Sequence, residues 1–342
     1  RGSGIASRIH PPGLRATGRM SFPSGPSHRT TSPTGSPSPS WYVDRRDRRR
    51  PNRRSHSATA WRAVGYVFVG FRCRGAYRSP PTFGGINLED IAKPKCFRIL
   101  DTLREEMNIP VWHDDQQGTA CVTLAGLINA VKIVGKDKKS VKIAMVGAGA
   151  SNIAISRVLI GDGFPIENII MCDSKGILNK KRDDCKDDPQ KWNMCENSNG
   201  DQLVGGIPDA MKGADVLVAL SKPGPGTIKP EWVRTMADDA IVFAGANPVP
   251  EIWPWEAKEA GAAVVATGRS DFPNQVNNSL IFPAVFRGAL DVRAKTITDE
   301  MCFAAAEALA GHIQNIDHEH LIPNMDDWEV FAKEAAAVGM KA

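Results

Sequence analysis

From residue 141 onward, short apolar runs alternate with stretches in which apolar positions recur every three to four residues. Residues 141–146, 168–172, 214–220, 240–244 and 263–267 read as buried strands. Residues 153–160, 208–212, 231–236 and 254–260 read as the helices between them. Upstream, residues 89–107 are predicted helical, with Ile91, Phe97, Ile99, Leu100 and Leu103 roughly on one face. Asn87 would cap that helix, leaving Glu89 and Asp90 in its first turn. A short strand is expected over residues 109–112 and a long apolar helix over 118–134. Residues 279–290 and 299–313 read as closing helices, and the tail 317–342 as partly helical. Strand and helix in alternation imply right-handed crossovers and an α/β fold, a doubly wound parallel sheet covered on both faces.

Residues 1–80 show neither period. They are rich in Arg, Ser, Pro and Gly, as in Ser32-Pro33-Thr34-Gly35-Ser36-Pro37-Ser38-Pro39-Ser40, and cannot bury enough apolar surface to offset chain entropy. Disorder is expected, above all over residues 1–58. The net charge of +5 hides a split: residues 1–80 hold sixteen Arg, no Lys and two acids, leaving 27 bases against 36 acids in the remainder. Three readings fit this head. The run Arg45-Arg46-Asp47-Arg48-Arg49-Arg50 could meet phosphates, but no nucleic-acid-binding module surrounds it. An Arg- and Ser-rich, acid-poor start fits an organelle transit segment. Arg without Lys, beside a Lys-rich body, also fits a shifted reading frame, the reading preferred here. The chain thus divides into 1–80, a globular body over 81–316 and a tail over 317–342.

The remaining composition narrows the setting. The apolar run at 64–71 is far short of the roughly 18 residues of a membrane span, so no membrane association is expected. Seven scattered cysteines without paired Cys-x-x-Cys spacing argue against structural zinc and a disulfide framework. Cysteines such as Cys121 read as small buried hydrophobes. A reducing, cytoplasmic location and a homo-oligomer are expected, with no nucleic-acid partner.

Gly147-Ala148-Gly149 follows a predicted strand and opens a predicted helix. The first Gly permits the tight turn, and the second lets the backbone approach a pyrophosphate. The helix start at Ala150, Ser151 and Asn152 then offers N–H groups and a positive dipole end. This context makes a Rossmann-like dinucleotide site the preferred reading over a plain tight loop. Asn152 stands where the usual fingerprint has its third Gly. Asp173, at the end of the next strand, could accept the ribose 2′-hydroxyl, which favours NAD. Lys175, Lys180, Lys181 and Arg182 follow closely and could instead accommodate the 2′-phosphate of NADP.

Glu89, Asp90 and Asp115 are hard oxygen donors with no His or Cys in the set, suited to Mg²⁺ or Mn²⁺ rather than zinc. The same pattern also fits acids placed for a helix dipole, or Asp114 and Asp115 capping the next helix. His113 could act as a base, but a structural histidine is the preferred reading.

Four further segments weigh against the plain alternative. Pro81-Thr82-Phe83-Gly84-Gly85-Ile86-Asn87-Leu88-Glu89-Asp90-Ile91, His113-Asp114-Asp115-Gln116-Gln117-Gly118-Thr119-Ala120, Gly245-Ala246-Asn247-Pro248 and Phe272-Pro273-Asn274-Gln275-Val276-Asn277-Asn278, taken with the glycine loop, resemble the C-terminal domain of short microbial malic enzymes over about residues 81–315. The resemblance implies oxidative decarboxylation of L-malate to pyruvate and CO2 with NAD or NADP and Mg²⁺ or Mn²⁺. It places the metal on Glu89, Asp90 and Asp115, Asp114 in the catalytic hydrogen-bond network, and Asn247 and Asn278 against malate beside the nicotinamide. Taken on their own, Asn247-Pro248 could simply turn the chain, and Asn277 or Asn278 could cap a helix. Malic enzymes carry a general-base Lys and a general-acid Tyr in an N-terminal domain. No Lys precedes Lys93, and the three tyrosines, Tyr42, Tyr66 and Tyr77, all lie in the unmatched head. Impaired turnover is therefore expected, with a catalytically silent dinucleotide-binding fragment as the alternative. Decarboxylation without net oxidation, giving lactate, is a related possibility.

Overall fold

The computed structural model describes residues 69–72 and 83–342. The expected disorder of residues 1–58 lies outside the described residues. Val69–Arg72 (β1), within the head, pairs antiparallel with Phe83–Leu88 (β2), and β2 pairs parallel with Val111–His113 (β3). Pattern alone assigned no strand to β1 or β2.

The second sheet has six strands: Ile143–Val146 (β4), Ile169–Asp173 (β5), Gly176–Ile177 (β6), Val216–Ala219 (β7), Ala240–Ala244 (β8) and Ala262–Thr267 (β9). They are ordered β6-β5-β4-β7-β8-β9 and all run parallel except β6. This is the α/β, doubly wound architecture expected from the alternation. Alternate side chains of each strand feed two separate cores. Ile143, Met145, Val216, Val218, Ile241 and Phe243 face one side, while Ala144, Val146, Leu217, Ala219, Val242 and Ala244 face the other. That division follows from the two-residue period of a strand.

Thr119–Ile133 (α2), Ala150–Gly161 (α3) and Asp299–Ala310 (α9) pack on the first face. Ile207–Met211 (α5), Pro230–Val233 (α6) and Pro254–Glu259 (α7) cover the second. α2 is apolar almost all round, and eleven of its residues are buried, as expected of a helix inside a core. Lys95–Glu106 (α1), Pro189–Asn197 (α4), Phe282–Asp291 (α8) and Trp328–Met340 (α10) complete the described helices. α10 lies hard against α8: a methyl on Gly288 would strike the Ala335 carbonyl oxygen and come within 2.8 Å of Val338 Cβ. Among the described residues no helix is long and apolar enough to cross a membrane.

One expected element moves. The predicted helix over 89–107 begins only at Lys95, and Asn87 is a buried strand residue, not a cap. Asp90 has φ +58°, outside the helical region, and Pro94 disfavours helical backbone at Lys93. Glu89 and Asp90 therefore sit at the open end of β2, so a helix dipole does not explain them. α4 was not foreseen; Asp188 caps it by accepting from the N–H groups of Gln190 and Lys191, both at 3.2 Å.

Candidate active site

The strand order reverses between β4 and β7, and a crevice opens beyond their C-terminal ends, the usual ligand position in an open α/β sheet. A cavity of about 200 Å³ lies there, lined among others by Asp115, Ser151, Leu220, Gly245, Asn247 and Asn278.

Gly147 directly follows β4 with φ +102°, and a side chain there would run into the Leu220 carbonyl oxygen. Only glycine meets both conditions. Its N–H donates to Cys172 O at 2.9 Å, which fixes the turn to β5. Gly149 precedes α3 with extended backbone, and no side chain approaches within 4 Å of where its Cβ would stand. The first N–H groups of α3, at Ala150 and Ser151, follow this open cradle. Asn152 is fully buried, and its side-chain amide donates to Val146 O at 3.0 Å and Gly147 O at 2.7 Å. In place of the usual third glycine, its side chain staples the turn.

Asp173 ends β5, and neighbouring bases hold its carboxylate. Its carboxylate accepts from Lys191 Nζ at 2.7 Å, from Arg182 at 3.0 and 3.1 Å, and from the Lys175 N–H at 2.9 Å. Burial opposes its charge, but the Lys191, Lys175 and Arg182 hydrogen bonds outweigh that and hold it below the ordinary carboxylate range. Lys191, on the unforeseen α4, gave no sequence signal. Nor did Lys93, whose ammonium donates to Ala148 O in the glycine turn at 2.6 Å and reaches Asp188 at 3.4 Å.

The acids lie near one another, and Asp115 among them lines the cavity. The Asp90 N–H donates to Asp115 Oδ2 at 2.8 Å. Burial raises the Glu89 carboxyl, and the charges of Asp115 and Asp90 raise it further. Asp115 is raised chiefly by burial. The three side chains thus share one neighbourhood, but among the described residues no three His, Cys, Asp or Glu close into a ready metal site. Three like charges repel, and one Asp115 oxygen already holds a backbone N–H. His113 is fully buried, and burial lowers it to about 4, so it is neutral at ordinary pH. Its Nδ1 lies 3.7 Å from Asp115 Oδ2 and makes no hydrogen bond.

Asp114 starts one wide helical turn, Asp114–Gly118, that leads into α2. Such turns are frequent at functional sites. Asn278 Nδ2 donates to Asp114 Oδ2 at 2.6 Å, and Trp112 Nε1 to Oδ1 at 3.2 Å. Gly118 is required beneath it, because a side chain there would strike Asp114 Oδ1. Burial pushes Asp114 up to about 7 against the pull of the Trp112 hydrogen bond, with Glu89 and Asp115 adding to the rise. The structure therefore joins Asp114 to Asn278 over a separation of 164 residues. It brings Asp115, Ser151, Asn247 and Asn278 to one cavity and leaves Asp173 outside it.

Comparison with known proteins identifies the family. The family described as malic enzyme, NAD binding domain, matches residues 116–342, a stretch that takes in α10. The bifunctional malic/malolactic enzyme of Bacillus subtilis is 49% identical over 264 residues, covering 77% of this chain and 63% of that protein. An NADP-dependent malic enzyme of Rhizobium meliloti is 51% identical over 231 residues, covering 67% of this chain and 29% of its own length. The crystal structure of the NAD-dependent malic enzyme of Thermotoga maritima superposes with a TM-score of 0.72 at 44% identity, covering 76% of this chain and 67% of that one. The chain thus spans less than two thirds of the curated relatives it matches. A family-wide sequence match, close relatives and a shared fold lead to one conclusion: this chain belongs to the malic enzyme family.

Proposed function

We propose that the crevice binds NAD or NADP over the Gly147 turn, with L-malate between the nicotinamide and the acids, for oxidative decarboxylation to pyruvate and CO2. The observation that carries this reading is the single cavity shared by Asp115, Ser151, Asn247 and Asn278. The start of α3 at Ser151, one acid, Asp115, and two amides line the same small-molecule volume.

In this reading Gly147, Gly149 and the N–H groups of Ala150, Ser151 and Asn152 receive the pyrophosphate. Asn247 and Asn278 orient malate without adding charge. Asp114, held by Asn278 and Trp112, fixes the Asn278 amide and anchors the hydrogen-bond network at the reacting carbons. A bound nicotinamide would supply the hydride acceptor for malate C2, the hydroxyl proton leaving at the same stage. The bond from C3 to the adjacent carboxylate then breaks, releasing CO2, and C3 regains a proton. Glu89, Asp90 and Asp115 suit Mg²⁺ or Mn²⁺ by the chemistry of their oxygens and their shared neighbourhood. A cation held there would supply Lewis-acid polarisation of the substrate oxygens.

For residues 1–342 taken on their own, the proposal includes weak turnover. No tyrosine lies beyond Tyr77 and no lysine before Lys93, so the general acid and base of the resembled family have no recognised counterpart. General acid–base help is worth about 10²–10⁴-fold. A silent dinucleotide-binding fragment is the second reading, favoured by that same lack. Because the Bacillus relative is named malic/malolactic, both pyruvate and lactate must be assayed. The test mixes the full chain with malate, Mn²⁺ and NAD or NADP, and follows cofactor binding, cofactor reduction and product. Binding with slow, Mn²⁺-dependent reduction supports the proposal; binding with no reduction leaves the silent fragment. Absence of dinucleotide binding removes both. A cytoplasmic, self-associating protein completes the reading, to be checked by fractionation and sedimentation; the six cysteines of the described residues, all free and buried, are consistent with a reducing compartment.

A further inference from the structure

Glu251 is fully buried, and among the described residues it forms no ion pair. Its Oε1 accepts from the Ser221 N–H at 2.8 Å and the Ser221 hydroxyl at 3.3 Å, and its Oε2 accepts from the Ala246 N–H at 3.1 Å. Ser221 stands just beyond β7 and Ala246 just beyond β8, so one carboxylate joins the ends of two neighbouring strands at the crevice. The backbones of the same segments pair as well, Gly224 N–H to Val249 O at 3.2 Å and Ile228 N–H to Glu251 O at 3.1 Å. Neither Ser221 nor Ala246 lines the cavity, but their chain neighbours Leu220, Gly245 and Asn247 do.

A buried carboxylate without a cation is a costly way to join two loops, and well-packed apolar residues often do it at least as well. Burial raises the Glu251 carboxyl, while hydrogen bonds from Ser221 and Ala246 oppose the rise. What an apolar residue could not do is hold two peptide N–H groups in fixed directions.

We infer that Glu251 is a positioning residue for the nicotinamide end of the dinucleotide: by holding the Ala246 N–H and Ser221 it fixes where the Asn247 amide stands in the cavity. This rests on the dinucleotide site proposed above. The glycine turn has anchors of its own, the Gly147 N–H on Cys172 O and the Asn152 amide on Val146 O and Gly147 O. Loss of the carboxylate therefore loosens the nicotinamide half and spares the half that holds adenosine and pyrophosphate.

The experiment titrates the full chain, Glu251→Gln, Asn247→Ala and the double variant with the preferred reduced dinucleotide and with ADP-ribose, by calorimetry. Gln at 251 turns one acceptor into a donor facing an N–H. The dinucleotide should weaken about 10-fold and ADP-ribose less than about 2-fold. In the Asn247→Ala background, Glu251→Gln should add little, because it acts through the residue already removed. Equal loss on both ligands, or full additivity, overturns the positioning role while leaving the dinucleotide site intact. A wild-type chain that binds neither ligand removes the site and this role together. Should Glu251→Gln fail to fold, Glu251→Asp, which keeps the charge but withdraws it by one methylene, is read by the same two titrations and the same criteria.

Discussion

Gly147 shows how little latitude one residue in the crevice has. Its positive φ and its contact with Leu220 O each exclude a side chain. Gly147→Ala should weaken dinucleotide binding by at least about 10-fold, measured by calorimetry, since the turn must shift to admit a methyl. Asp173 teaches a different lesson. Read from sequence it is a candidate ribose acceptor followed by bases, Arg182 among them, that could accommodate a 2′-phosphate; in the fold Lys191 and Arg182 pair with it. Two cations on one carboxylate leave that end of β5 able to tolerate a 2′-phosphate. Lys191→Met should therefore weaken NADP by several-fold, about 3- to 10-fold for one partly exposed charge, and NAD by much less; parallel titrations check it. The glycine loop and the acids were legible because their chemistry is local to a short motif. Lys93, Lys191, Trp112 and Glu251 were not, because each acts on a partner that only the tertiary fold brings near.

Among elements, those with a clear period were read correctly. β8 falls at residues 240–244 as expected, and the apolar helix expected over 118–134 is α2 with its entry turn. The failure lies between Asn87 and Pro94. Acids after an Asn imitate a helix start, but parallel pairing with β3 claims the segment for a strand. Non-local pairing takes Asn87 and Leu88 into the strand, and Pro94 then delays the helix to Lys95. α10 carries a second consequence that pattern could not show. Glu334 is fully buried, neither carboxyl oxygen has a partner, and burial raises its pKa to about 9. The folded state thus holds a proton that the unfolded chain releases near the ordinary value of 4.5. The contribution of Glu334 to stability is greatest below that value and is lost as pH rises towards about 9, by an amount on the order of a few kcal/mol. Measured relative to Glu334→Leu, denaturant midpoints of the chain at acidic, neutral and alkaline pH should fall in that order. Glu334→Leu should flatten the slope and stabilise the chain at alkaline pH by about 1–3 kcal/mol.

At the scale of the whole molecule, one sheet separates two cores, and the site draws on both β-sheets. The acids come from the ends of β2 and β3 and the glycine turn from β4. The family match and the shared fold account for the frame, while the odd composition of residues 1–80 has no counterpart among the described residues. The close seat of α10 on Gly288 has a practical corollary. Met340, near the last residue, is 81% exposed, whereas Val330 and Val338 are buried against the body. An affinity tag fused after Ala342 should be harmless, but a stop codon placed before Trp328 should yield an insoluble product, because it would strip the cover from a greasy furrow along α8 and α9. Expression of the two versions side by side, scored by the soluble fraction, separates a mere appendage from a lid on the core.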